Sequence, residues 1–225
     1  DIVEIHNLPS DEEQELMARI TKVIYPDRDV KKSEIKRKPE TKPKLTYSAP
    51  VKKLVDEHLL IKRLIALIPS LVENLDVNTD KGKRLILDCV DFVRAYADKY
   101  HHAKEEEILF KYFDEKLDII KTMLEDHKKA RNHAGSILDG LEKKDKNSVI
   151  EHLTAYKELL TEHIKKEDEI LYPWIDRGIS ITQVGELFSK FGEVDNKFPD
   201  AQKEYGEFIQ RLEEKYKASL ERRNG

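Results

Sequence analysis

One ten-residue segment of this chain occurs twice. His101-His-Ala-Lys-Glu-Glu-Glu-Ile-Leu-Phe110 and His163-Ile-Lys-Lys-Glu-Asp-Glu-Ile-Leu-Tyr172 share their leading His, a Lys, two Glu and an Ile-Leu pair. Ahead of each lies a second related stretch, Val55-Asp-Glu-His58 and Leu124-Glu-Asp-His127. The pattern reads as one helical hairpin present in two copies, each giving a histidine from its first helix and a His-x-x-x-Glu pair from its second. Residues four apart share a helical face, so His101 projects with Glu105, and His163 with Glu167.

The spacing of apolar residues predicts an all-α chain, an up-down-up-down four-helix bundle with an extra N-terminal helix and linker and with C-terminal helices. Eight glycines and eight prolines in 225 residues are too few for an all-β protein full of turns. The first bundle helix starts near Ser48 and Pro50, with Leu54, His58, Ile61, Ile65 and Ile68 in line. The second, over 80–113, aligns Ile86, Val90, Val93, Ala97, His101, Glu105, Ile108 and Tyr112. The third, over 117–143, aligns Ile120, Met123, His127, Ala130, Ala134, Ile137 and Leu141, and the fourth, over 147–172, Val149, Tyr156, Leu160, His163, Glu167 and Ile170. Pro173 is expected to stop the fourth. Each helix therefore points a histidine inward.

Outside the bundle, Ser10 caps a helix over 10–24 carrying Leu16, Ile20 and Ile24, and residues 27–47, basic and with two prolines, read as an extended linker. Helices near 181–191 and 199–216 are expected to pack across the bundle or against a second subunit. The division is 1–47, 48–175 and 176–225, with 178–225 as the surface for a homo-oligomer or protein partner.

Charge excludes several classes. Forty-one basic residues against 45 acidic give a net charge of −4, with no footprint for nucleic acid or an anionic membrane. No apolar run spans a bilayer and no apolar segment with a cleavage site opens the chain. The lone Cys89, beside Asp88 and Asp91, reads as an inert thiol of a reducing compartment, and a cytoplasmic location is expected.

Helix register brings the six side chains together. Counted from the helix ends, His58, His101, His127 and His163 fall within about 6 Å along the bundle axis, about one turn. Burying four imidazoles and two carboxylates without partners costs several kcal/mol each, about 2–7 by transfer scales. Coordination satisfies them all. Imidazole suits Zn, Cu, Fe and Ni, and two inward carboxylates able to bridge favour a pair of ions over one tetrahedral zinc.

The segments His-His-x-Lys-Glu-Glu-x-Ile-Leu-Phe and His-Ile-x-Lys-Glu-x-x-Ile-Leu-Tyr-Pro resemble those of the hemerythrin-like family, named for its HHE cation-binding motif, over roughly residues 48–175. The resemblance implies a non-haem centre of two iron ions with an oxo or hydroxo bridge, held by His58, His101, Glu105, His127, His163 and Glu167, both glutamates bridging. It also implies that O2, NO or peroxide is bound, sensed or transformed there.

Two departures from the oxygen carriers stand out. Those proteins place a second histidine four residues after the third-helix ligand, where this chain has Arg131. They also use a His-x4-Asp pair, which Asp168 would satisfy, but the match to Glu105 favours Glu167. A four-His, two-Glu set is similar to di-iron proteins of nitrosative or oxidative stress and iron-centre repair, although those usually add a cysteine-bearing segment that these residues do not include. A sensor that signals through its terminal helices is the alternative. Around the centre, His102, Glu106 and Asp168 are positioned either to orient ligands or to meet solvent. Of Tyr100, Tyr112 and Tyr156, the last is the foremost candidate to reach inward.

Overall fold

The computed structural model describes residues 18–19 and 47–224, with side chains to residue 217. The predicted helix over 10–24 and the basic linker lie, but for those few positions, outside the described residues. Among them there is no strand, and no helix is long and apolar enough to cross a membrane.

Helix α1 (Ala49–Glu73) begins where expected, with Pro50 in its first turn, a position that needs no N–H donor. The Ser48 backbone N–H donates to Asp176 at 3.0 Å, tying the start of α1 to the far end of the fourth helical rod. Helix α2 (Asp80–Asp91) is capped by the Thr79 hydroxyl, which accepts from Gly82 at 3.1 Å. It runs on through two stretches of wide π turns, Phe92–His102 and Glu105–Leu109, and a 3-10 turn, Phe110–Tyr112. Helix α3 (Asp118–Glu142) and helix α4 (Lys146–Lys166) are joined by a tight turn and pack along their lengths. A third π stretch, Glu167–Leu171, follows α4 and leads into α5 (Tyr172–Gly178). Helices α6 (Ile181–Lys197) and α7 (Ala201–Asn224) complete the chain and pack on α1.

Two expectations are corrected. Pro173 does not stop the fourth rod, which runs to Gly178. A proline removes one N–H from the ladder, and the wide turn before it frees carbonyls as well. Those of Asp168 and Glu169 accept instead from the Tyr47 hydroxyl at 3.0 Å and from Arg19 at 3.1 Å. Second, the inner stripe of the second rod slips after Glu105. Leu109 and Phe110 are fully buried, while Ile108 and Tyr112 are only half-buried. The π turn inserts one residue, and one residue is about 100° of helical rotation.

The polar groups form a layer between two apolar cores. One core holds Ile61, Ile68, Tyr96, Ala130, Tyr156 and Leu160, the other Leu54, Phe110, Met123, Leu171 and Trp174. Ile209 and Leu212 of α7 join the first and Leu187 and Phe191 of α6 the second, so the C-terminal helices straddle the layer. Cys89 is buried in the first core, and burial, aided by Asp88, pushes its thiol up to about 12.

Candidate metal centre

Six side chains from four helical rods meet in the polar layer: His58 from α1, His101 and Glu105 from the second rod, His127 from α3, and His163 and Glu167 from the fourth. All six are at most 1 % exposed. Glu167 spans the group, with Oε2 3.2 Å from His58 Nε2, and Oε1 3.2 Å from His163 Nε2 and 3.9 Å from His127 Nε2. Glu105 Oε2 lies 3.4 Å from His127 Nε2 and 3.7 Å from His101 Nε2. The histidines pair closely as well: the ring centroids of His127 and His163 are 4.7 Å apart, with Nε2 atoms at 3.0 Å, and those of His58 and His101 are 4.6 Å apart. Asp168 stands outside this group, one position along.

Each imidazole has a carboxylate facing its outer nitrogen, and three of the four are hydrogen-bonded to it. Nδ1 of His58 meets Asp168 at 2.7 Å, that of His101 meets Glu57 at 2.9 Å, and that of His127 meets Glu106 at 2.7 Å. His163 Nδ1 faces Asp126 at 3.7 Å, without a hydrogen bond. An Nδ1 proton directed at a carboxylate leaves the lone pair on Nε2, aimed into the layer. Each carboxylate in turn has a cation: Lys62 on Asp168, Lys104 on Glu57, Arg131 on Glu106 and Lys166 on Asp126. The doubled hairpin repeats the arrangement, because Glu57 and Asp126 precede His58 and His127 while Lys104 and Lys166 stand three residues beyond His101 and His163.

Several acceptors in the interior of the layer lack donors. His101 Nε2, Glu105 Oε2 and both Glu167 carboxylate oxygens are buried and make no hydrogen bond. An unmade bond of this kind costs about 1–3 kcal/mol, more for a charged group. Lone pairs of nitrogen and oxygen converge with nothing to accept them, and a cation removes that conflict. Three overlapping sets place their donor atoms within 4.8 Å of one another: His58, His101 and Glu167; Glu105, His127 and Glu167; and His102, His127 and His163. Glu167 belongs to two of them.

The groups of the layer shift one another's protonation. Burial and the Glu167 charge push Glu105 well above the carboxylate range, while His163 and His58 hold Glu167 well below it against the burial that would raise it. Burial would lower His163, but Glu167 and Asp126 raise it to about 9, and Asp168 and Glu167 raise His58 likewise against burial. Burial and neighbouring histidines keep His101 and His127 well below their usual value. Coordination replaces such protons with metal charge.

The tyrosine expectation is corrected. Tyr156 lies in the first apolar core and Tyr100 under the Lys104 ammonium at 3.4 Å, while Tyr112 donates to Glu186 on α6. The tyrosine that reaches inward is Tyr172, which donates to Glu105 Oε1 at 2.5 Å and stacks on His58 at 5.5 Å. Its counterpart in the first copy is Phe110, a difference visible when the two segments are aligned. His133 and His152 stand apart from the layer with their Nδ1 atoms 3.2 Å apart, and His6 lies outside the described residues.

Residues 49–175, more than half of the chain, match the family model described as Hemerythrin HHE cation binding domain. No curated protein and no solved structure matches the chain.

Proposed function

The chain belongs to the hemerythrin HHE cation-binding family, and from that premise we propose that it holds two iron ions with which it binds, senses or transforms O2, NO or peroxide. His58 and His101 would hold one ion and His127 and His163 the other, with Glu105 and Glu167 as carboxylate ligands between them. The four helical rods act as an up-down-up-down bundle around this centre. One observation carries the reading: four imidazoles, each with a carboxylate facing Nδ1 and hydrogen-bonded to it in three of them, turn Nε2 toward two buried glutamates, three of whose four carboxylate oxygens lack a donor. When bound, paired iron ions supply one-electron redox couples and open positions for a diatomic ligand or peroxide.

The chain's own groups set the conditions for that chemistry. The two apolar cores exclude bulk water from the polar layer. The carboxylate partners hold each ring in one tautomer, so Nε2 stays available. Tyr172 keeps Glu105 Oε1 occupied and turns Oε2 toward His101 and His127. Its hydroxyl also lies 3.5 Å from His58 Nε2, within reach of a ligand's proton. The buried thiol goes with a reducing compartment, and the cytoplasm is the location this reading assigns.

Anaerobic reconstitution with ferrous iron tests the proposal. Two irons per chain, absorption bands of a bridged diferric pair after oxidation, and loss of both on His101→Ala are expected. No bound iron, or one ion per chain, rejects it. Many ions per chain indicate storage.

A second reading, a sensor, is favoured by one contact. Asp195 of α6 lies 2.9 Å from Lys104, and Lys104 pairs with Glu57, which orients His101. The state of the centre thereby reaches residues 178–225, where a protein partner or a second copy would read it. Limited proteolysis of the reduced and oxidised forms discriminates: a changed cleavage pattern in that segment supports sensing, and identical patterns remove it.

A further inference from the structure

We infer that His102 is a third imidazole ligand for the ion assigned to His127 and His163, so that the chain offers seven side chains to the metal pair. The inference rests on the centre proposed above and adds to it a residue that the six-ligand set omits.

Proximity comes first. One ring nitrogen of each of His102, His127 and His163 lies within 4.8 Å of the others. The His102 ring is stacked on His127 at 3.9 Å with 14° between planes, and its centroid is 6.0 Å from that of His163. At 3 % exposure it belongs to the buried layer.

Its surroundings follow the rule of the other four. Each of those histidines has a carboxylate at Nδ1, itself held by a Lys or Arg. His102 Nδ1 faces Asp98 Oδ1 at 3.6 Å without a completed hydrogen bond, and Asp98 is held by Arg131 at 2.9 Å. The cation–carboxylate–imidazole series therefore occurs five times. When the Nδ1 proton is turned to Asp98, Nε2 carries the lone pair. Arg131 serves two members of the series, through Asp98 and Glu106.

Packing alone does not call for a histidine here. The equivalent residue of the second copy is Ile164, buried in the apolar core. A cavity of about 290 Å³, lined by His102, Asp98, Arg131 and Tyr156 among others, lies beside the ring. That is room for a free imidazole molecule.

Two variants test the assignment. His102→Ile copies the second repeat and keeps apolar bulk, and His102→Gly opens the site to added imidazole. In wild-type protein loaded with ⁵⁷Fe, Mössbauer spectra should resolve two inequivalent irons. In His102→Ile one quadrupole doublet should shift or vanish, and a chelator should remove that iron at least about tenfold more readily, the lower end of the loss seen even for residues behind the ligands. Imidazole should restore the doublet in His102→Gly. The unfolding temperature of the iron-free His102→Ile protein should stay near wild type, so that a loss of iron cannot be put down to a damaged core. Wild-type affinity and two unchanged doublets in both variants overturn the inference while leaving the six-ligand centre standing. Wild-type protein that takes up no iron overturns both.

Discussion

At the scale of single residues, the orienting carboxylates decide how well the imidazoles are presented, and the sequence discloses them unevenly. Glu106 and Asp168 stand next to Glu105 and Glu167, so the repeat drew attention to them. Glu57 and Asp126 precede His58 and His127, yet the first bonds His101 and the second faces His163 from another rod. Such pairing across helices is invisible to spacing along one helix. Alignment of the copies shows Tyr172 as a departure from Phe110 but does not show its partner, Glu105, which lies in the other copy. Glu57 is also raised to about 7, by burial foremost, with Lys104 opposing. Its replacement by glutamine keeps the volume and removes the carboxylate, so the His101 ring loses its charged acceptor. Iron affinity, measured by competition with a chelator, should fall by about 10–100-fold in Glu57→Gln with the helical signal intact. Unchanged affinity would mean that His101 is held by packing alone.

At the scale of elements, periodicity located the rods well and failed where the backbone leaves the α pitch. The starts at Ala49 and Asp80 lie close to the predicted ones because Pro50 and the Thr79 cap mark them locally, while that at Asp118, behind an uncapped Leu117, was placed by periodicity alone. The π turns at Phe92–His102, Glu105–Leu109 and Glu167–Leu171 carry no local signature, although all three run through or beside the histidine-bearing segments. Rare wide turns of this kind concentrate at functional sites, and here they let two adjacent residues, Leu109 and Phe110, both face inward. The turn between α3 and α4 has a different strain. Lys144 adopts φ 54°, the left-handed region, so that its N–H reaches the Leu141 carbonyl at 3.2 Å and that of Asp145 reaches Gly140 at 2.8 Å. A side chain there costs about 1 kcal/mol or more. Lys144→Gly should therefore raise the unfolding temperature of the iron-free protein, by about 2–4 °C for each kcal/mol recovered in a chain of this size, without altering iron content. A lower melting temperature would show that the added freedom of glycine in the unfolded chain outweighs the relief.

At the scale of the whole molecule, the C-terminal helices close the fold over the polar layer through one charged junction. Asp195 on α6 faces Lys53 of α1, and Lys104 and Tyr100 of the second rod, and Lys104 is fully buried. Burial alone would raise the Asp195 carboxyl, but hydrogen bonds from Lys53 and Lys104 reverse this and hold it below the usual carboxylate range. A carboxyl lowered by folding stabilises the native state above its unfolded value, near 4, and that contribution is lost as pH falls through the depressed folded value. Asp195→Asn should therefore destabilise the iron-free protein by about 2 kcal/mol at pH 7, the scale of a hydrogen bond to a charged group. Below about pH 4 the difference between variant and wild type should shrink toward zero. Thermal melts of both proteins across pH 3 to 8 would show it as two curves converging on the acid side. A constant gap across the whole range would mean that Asp195 acts by shape and not by charge, and the junction would then carry no electrostatic link from the C-terminal helices to Glu57 and His101.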